Sequence, residues 1–137
     1  MTAFDTNVLI YSCNKADKVR QPIAARLLRE TTDGILLWQV ACEFIAASRK
    51  LIVYGFSQAE AWQYLREYLG FLRLVLPSAQ TLDLAQKLHI EQGWSFWDAM
   101  LVGAALDAGV TKLYSEDVPG RRAEGIEIIN PFAGPVH

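Results

Sequence analysis

Fifteen acidic residues are spread over this 137-residue chain, and four of them stand where the chain changes structure instead of on a polar face. Asp5 ends the short apolar run Met1-Thr2-Ala3-Phe4. Glu43 lies three residues after Val40 and four before Ala47, so helical geometry sets its carboxylate beside that apolar stripe, near the helix start. Asp98 follows Ser95 by three residues, the spacing of a capping box, and Asp117 closes Ser115-Glu116-Asp117 behind another apolar run. Ionised carboxylates gathered without partners raise one another's pKa values, so a cluster of these four requires a cation. Oxygen ligands with no histidine or cysteine cage favour the hard ions Mg2+ or Mn2+. One such ion can activate water while a second, ~3.5 to 4 Å away, neutralises the leaving oxygen of an in-line displacement. That chemistry is phosphodiester hydrolysis without a protein nucleophile. Asp98 taken alone has a plainer reading, a helix cap meeting the positive end of its helix.

Whether the four acids can meet depends on the elements that carry them. The opening residues read as a short strand into Asp5, with Thr6 or Asn7 capping the helix that follows. Pro22 fits a first helical position, and Ile23, Ala24, Leu27 and Leu28 form a stripe up to Thr32. After the turn at Asp33-Gly34, residues 35–38 suit a buried parallel strand and lead into a helix over 39–51 that carries Glu43. Ser57 and Glu60 form a capping box for a helix over 58–72 with much aromatic surface, including Trp62 and Tyr68. Its packing into a core is the first expectation, and a dimer or partner surface the second. A strand over 74–76 stops at Pro77, and Leu82, Ala85 and Leu88 mark a helix closed by Gly93, with His89 partly buried. From Ala99 to Ala108 only Asp107 is charged, so the helix begun at Ser95 is expected to be buried on most sides and to end at Gly109. Strands over 110–114 and 125–129 flank a turn at Pro119-Gly120, and Asn130-Pro131-Phe132 ends the second. Strands and helices alternate throughout, which implies a parallel sheet with helices on both faces and right-handed crossovers. Open parallel sheets bind ligands beyond the carboxyl ends of their strands, where all four acids fall.

Composition narrows the class. A hydrophobic content of 52% with 20% charged residues excludes a disordered chain, and the length suits one domain spanning 1–137. The formal charge of -2 supplies no global field for nucleic acid, so a polyanion must be held by local basic residues or metal ions. Cys13 and Cys42 fall in apolar surroundings and read as reduced, buried thiols, while His89 and His137 are too few for a zinc cage. No apolar run reaches ~18 residues and the amino terminus has no signal pattern, so a soluble cytoplasmic protein is expected, with no membrane partner.

Phe4-Asp5-Thr6-Asn7, the helical Glu43, Ser95-Phe96-Trp97-Asp98-Ala99, Leu113-Tyr114-Ser115-Glu116-Asp117 and Asn130-Pro131-Phe132 together resemble the PIN-domain ribonucleases. In particular they resemble the VapC-type toxins of bacterial toxin-antitoxin pairs, over residues 3–132. The order and spacing of the motifs carry the resemblance, since no single motif is specific. It implies a PIN-like three-layer α/β/α sandwich around a mostly parallel sheet of four to five strands. It further implies a Mg2+- or Mn2+-dependent endoribonuclease with Asp5, Glu43, Asp98 and Asp117 as acidic quartet, inhibited by a cognate antitoxin inserted into the active-site groove. Ser115 matches the family's small hydroxyl residue before the last acid, Thr6 and Asn7 match supporting positions, and Asn130 is expected to brace the site. Glu116 competes with Asp117 for the fourth place, and Asp117 is preferred because it is third in the Ser-x-Asp pattern. Such toxins are typically dimers, which would give the aromatic face of the 58–72 helix a reason.

RNA would need a positive rim, and Lys15, Lys18, Arg20, Arg49, Lys50 and Arg121-Arg122 are its candidates against the simpler reading of solvated charge. Trp38 or Trp97 could stack a base, though core packing is the expectation for both. Two other classes use the same residues. A small-molecule metal phosphatase or nucleotide hydrolase would turn over mononucleotides and spare structured RNA. A non-catalytic binding module, with the acids as mere helix caps, would gain no stability from divalent ions.

Overall fold

Five short strands form one sheet in the order β3-β2-β1-β4-β5, with every neighbouring pair parallel. They are β1 (Thr2–Phe4), β2 (Gly34–Leu37), β3 (Arg73–Val75), β4 (Lys112–Tyr114) and β5 (Glu127–Ile129), in a computed structural model that describes residues 1–118, 123 and 125–133. Among the described residues six helices lie between them, two in each connection from β1 to β4: α1 (Thr6–Cys13), α2 (Arg20–Glu30), α3 (Trp38–Ser48), α4 (Gln58–Leu69), α5 (Ala79–Gln86) and α6 (Phe96–Asp107). A 3-10 segment, Arg49–Tyr54, continues α3, and a wider turn of helix, Lys87–Glu91, continues α5. Ala3, Phe4, Leu36, Leu37 and Leu113 are shut off from solvent, as strands covered on both faces must be. Helix α1 packs on α2 and α3, α3 packs on α4, and α5 packs with α6, so the sheet lies between two helical layers.

Local chemistry sets the helix starts. Ser57 and Glu60 exchange the two bonds of a capping box at α4, and Ser78 with Thr81 does the same at α5. At α6 the Ser95 hydroxyl accepts from the Asp98 N–H at 3.4 Å, and Gly109, at φ +80°, ends the chain's exit turn as expected. The absence of a polar face on α6 is matched by burial of Ala99, Leu101, Val102, Gly103 and Ala105. Gly103 lets α5 come close: a Cβ there would lie 3.0 Å from the Ala85 nitrogen and the Thr81 oxygen.

Several elements depart from the sequence expectation for physical reasons. Asp5 itself caps α1, in place of Thr6 or Asn7, because its carboxylate accepts the Thr6 N–H at 2.7 Å. Helix α2 begins at Arg20 with Pro22 as its third residue, since Asp17 accepts from the Val19 and Arg20 N–H groups at 3.1 and 2.9 Å. Trp38 opens α3 instead of ending β2. Cys42 is exposed, unlike the buried Cys13, because it lies on the open side of α3. Leu82 and His89 face solvent, and burial on that helix falls to Thr81, Ala85 and Leu88. The expected turn at Pro119-Gly120 and the basic pair Arg121-Arg122 lie outside the described residues. Among the described residues no helix is long and apolar enough to cross a membrane.

Candidate active site

The strand order makes the centre of the sheet a switch point. From β1 the chain winds outward to β2 and β3, then returns to add β4 and β5 on the other side of β1. A crevice therefore opens beyond the carboxyl ends of β1 and β4, the place where open parallel sheets take ligands. Asp5 follows β1 by one residue and Ser115 follows β4 by one, so both enter that crevice.

Asp5 is 8% exposed and Ser115 is fully buried. One carboxylate oxygen of Asp5 accepts the Thr6 N–H, and the other accepts the Ser115 hydroxyl at 2.7 Å. Burial nevertheless dominates and pushes the Asp5 carboxyl up to about 6, with repulsion from Glu43 and Asp117 adding to it and the two hydrogen bonds opposing it. The Ser115 oxygen also accepts from the backbone N–H groups of Asp117 and Val118, at 3.2 and 3.3 Å. A single hydroxyl thus fixes Asp5 and folds the loop that carries Asp117.

Glu43 reaches the crevice from the second turn of α3. Its carboxylate accepts from Gln39 Nε2 at 2.6 Å and, more distantly, from the Thr6 hydroxyl at 3.4 Å. Gln39 Nε2 also donates to the Trp97 carbonyl at 3.3 Å, clipping the start of α3 to the start of α6. Asp98 is the next residue, half-buried, and among the described residues its carboxylate makes no hydrogen bond. The structure therefore brings Glu43 and Asp117 within electrostatic reach of Asp5, while Asp98 stands on the first turn of α6, next in the chain to the Trp97 whose carbonyl Gln39 holds.

The adjacent acids Glu116 and Asp117 part company. Glu116 accepts the Tyr11 hydroxyl at 2.7 Å and pairs with Arg20 Nε at 3.1 Å, while the Arg20 guanidinium lies 5.2 Å over the Tyr11 ring. Burial, helped by Glu116, raises the Tyr11 phenol to about 12. Asp117 has no such cation among the described residues; its carboxylate accepts from Asn7 Nδ2 at 3.0 Å. Asn7 bridges the two, since its Oδ1 accepts the Glu116 N–H at 3.4 Å. Arg20, counted in the sequence as a free rim cation, is thus committed to Glu116 and Asp17. Asn130 closes a local turn by accepting the Phe132 N–H at 2.9 Å, and Phe132 packs edge-on against Tyr11, so its link to the acids runs through that ring.

The motifs single out neither Gln39 nor Tyr11, which both hold acids of the site. Gln39 had a usable signal, four residues ahead of Glu43 on a helix face. Tyr11 had none, because its partner is 105 residues away. The expectation of core packing for Trp38 and Trp97 is also corrected: they are 47% and 66% exposed, since each lies in the first turn of a helix, at the uncovered edge of the sheet.

Among the described residues no three Asp, Glu, His or Cys side chains form a closed ligand group. Mg2+ does not require one, because it keeps several waters and binds through one or two carboxylates together with substrate phosphate. Asp5, disfavoured as an anion, and Asp117, without a cation, are donors of the kind a hard divalent ion would satisfy.

No family model and no curated protein matches the sequence. Among solved structures the chain is similar to a toxin-antitoxin complex from Klebsiella pneumoniae, at 18% identity over 96% of this chain and 98% of that one, with TM-score 0.70. It is similar to VapC20 of Mycobacterium tuberculosis, a sarcin-ricin loop cleaving toxin, at 18% identity over 87% and 92%, with TM-score 0.67. It is also similar to VapBC2 from Rickettsia felis, bound to a promoter DNA fragment, at 16% identity over 94% and 97%, with TM-score 0.68. Likeness at such identities is one of fold, and the fold is the PIN-like α/β/α sandwich, here with all five strands parallel.

Proposed function

We propose that this chain is a cytoplasmic, Mg2+- or Mn2+-dependent endoribonuclease, the toxin of a toxin-antitoxin pair. One observation carries the reading: a buried Asp5 shared between β1, Ser115 and two further acids, at the switch point of a fold that a sarcin-ricin loop cleaving toxin also has. Asp5, Glu43, Asp98 and Asp117 would hold the ions, which when bound activate water and neutralise the leaving oxygen of a phosphodiester. Ser115 holds Asp5 in place and is no nucleophile, since its hydroxyl is buried and committed to that carboxylate. Thr6 and Asn7 hold Glu43 and Asp117 from α1, so that both acids are set by one short helix. An antitoxin partner is supported by the complexes that share the fold, and a homodimer by exposed apolar groups on and beside α4, Trp62 and Phe71.

The test is incubation of total cellular RNA with antitoxin-free protein, with and without Mg2+ or Mn2+, beside Asp98→Asn. Discrete fragments that require both the ion and Asp98 are expected. An active Asp98→Asn protein would overturn the site. Turnover of mononucleotides with RNA left intact would make it a small-molecule phosphatase, and neither turnover nor calorimetric ion binding would leave a binding module.

A further inference from the structure

We infer that the apolar groove beside Glu43 is a subsite for one unpaired nucleobase of the RNA, with the indoles of Trp38 and Trp97 as its stacking faces; the inference rests on the endoribonuclease reading above. The groove holds about 620 Å³, inside the ~300 to 1,000 Å³ range of small-ligand clefts. Glu43 lines both the groove and the acid crevice, so a nucleotide whose phosphate lies at the acids has its base within reach of the groove. Its walls, among them Leu37, Val75 and Met100, are apolar, and none of its lining residues is Lys or Arg. A phosphate would enter without a counter-charge, whereas a base is neutral and flat. Trp38 and Trp97 are large and exposed at that edge, and Trp97 is braced by the Phe96 ring, which meets it edge-to-face at 4.9 Å and leaves it two-thirds exposed, as a stacking platform requires. Gln39, fixed through its Nε2 to Glu43 and Trp97, keeps Oε1 as an acceptor for a base N–H. A base can enter only if it is not paired, so the substrate class is single-stranded or loop RNA and not duplex.

The experiment uses Asp98→Asn protein with Mg2+ and three probes: a short unstructured oligoribonucleotide, copies of it with single abasic positions, and its duplex. Binding is read from tryptophan fluorescence and from the rate at which iodoacetamide alkylates Cys42, which is exposed in the groove while Cys13 is buried. The single strand is expected to quench fluorescence and slow alkylation several-fold, and the duplex to do neither. One abasic position should weaken binding roughly ten-fold, as should Trp38→Ala or Trp97→Ala, without adding to them, in line with ~1 to 3 kcal/mol per stacked base. Ile90→Ala, on the exposed Lys87–Glu91 turn outside the groove, should bind as the parent does. Equal affinity for all abasic copies, or parental binding by both groove variants, overturns the proposal. If wild-type protein still cleaves RNA in that case, the endoribonuclease reading stands and the groove belongs to a protein segment. If wild type neither cleaves nor binds RNA, both readings fall.

Discussion

Asp5 keeps its proton to about pH 6 in the folded protein, whereas an unfolded aspartate releases it near 3.8. Folding takes up a proton between those values, so the stability this group contributes is complete below the unfolded pKa and is lost as pH rises through the folded one. By pH 7 the loss is about 3 kcal/mol. In EDTA, Asp5→Asn should therefore melt higher than wild type at pH 7.5 and lose that advantage near pH 4, as thermal unfolding at the two pH values will show. Equal shifts at both values would mean that Asp5 ionises freely. A second residue-scale prediction separates the neighbouring acids. Asp117→Asn should abolish cleavage, while Glu116→Gln should leave kcat within a few-fold, because Glu116 is occupied by Tyr11 and Arg20. Its stability cost should stay below about 1 kcal/mol, since Arg20 is 43% exposed and the pair is screened by water. Single-turnover assays with both variants decide, and an inactive Glu116→Gln would exchange the two roles.

At the scale of elements, α6 places Asp98 and is itself placed by its contact with α5. Gly103 lies in that contact, with two α5 backbone atoms 3.0 Å from where a Cβ would sit. Gly103→Val must push the helices apart, at an expected cost of ~1 to 3 kcal/mol in urea unfolding, typical of overpacking. Cleavage should fall by more than the unfolded fraction explains, because Asp98 moves with its helix relative to Glu43. Unchanged kcat in the folded fraction would show that Asp98 tolerates a displaced α6. The Gln39 clip between α3 and α6 acts in the same direction, joining the two helix starts that border the groove.

The whole molecule is mildly acidic and gathers more acid at one edge. A divalent ion that binds only the folded state should raise its stability by ~2.7 kcal/mol at a hundred times Kd. Thermal unfolding with Mn2+ in place of EDTA is expected to shift upward in wild type and hardly at all in Asp5→Asn combined with Asp117→Asn. An equal shift in both would place the ion elsewhere.

The motifs along the chain were enough for the parallel sheet and for the helices that connect its strands. Periodicity and caps are local: Ser57-Glu60 and Ser95-Asp98 carry their own geometry, and the apolar runs at Ala3 and Leu36 have one way to be buried. The same locality made α6 readable as a buried helix. What only the tertiary structure decided are the partnerships across long separations. Ser115 was linked to Asp5 across 110 residues, Glu116 was drawn off to Arg20 and Tyr11, and Asp117 was left to Asn7. Side-chain type gave no sign of which adjacent acid would meet the cation. The exposure of Trp38 and Trp97 was equally beyond it, because an indole on a helix start is buried or bare according to what the finished sheet leaves uncovered at its edge.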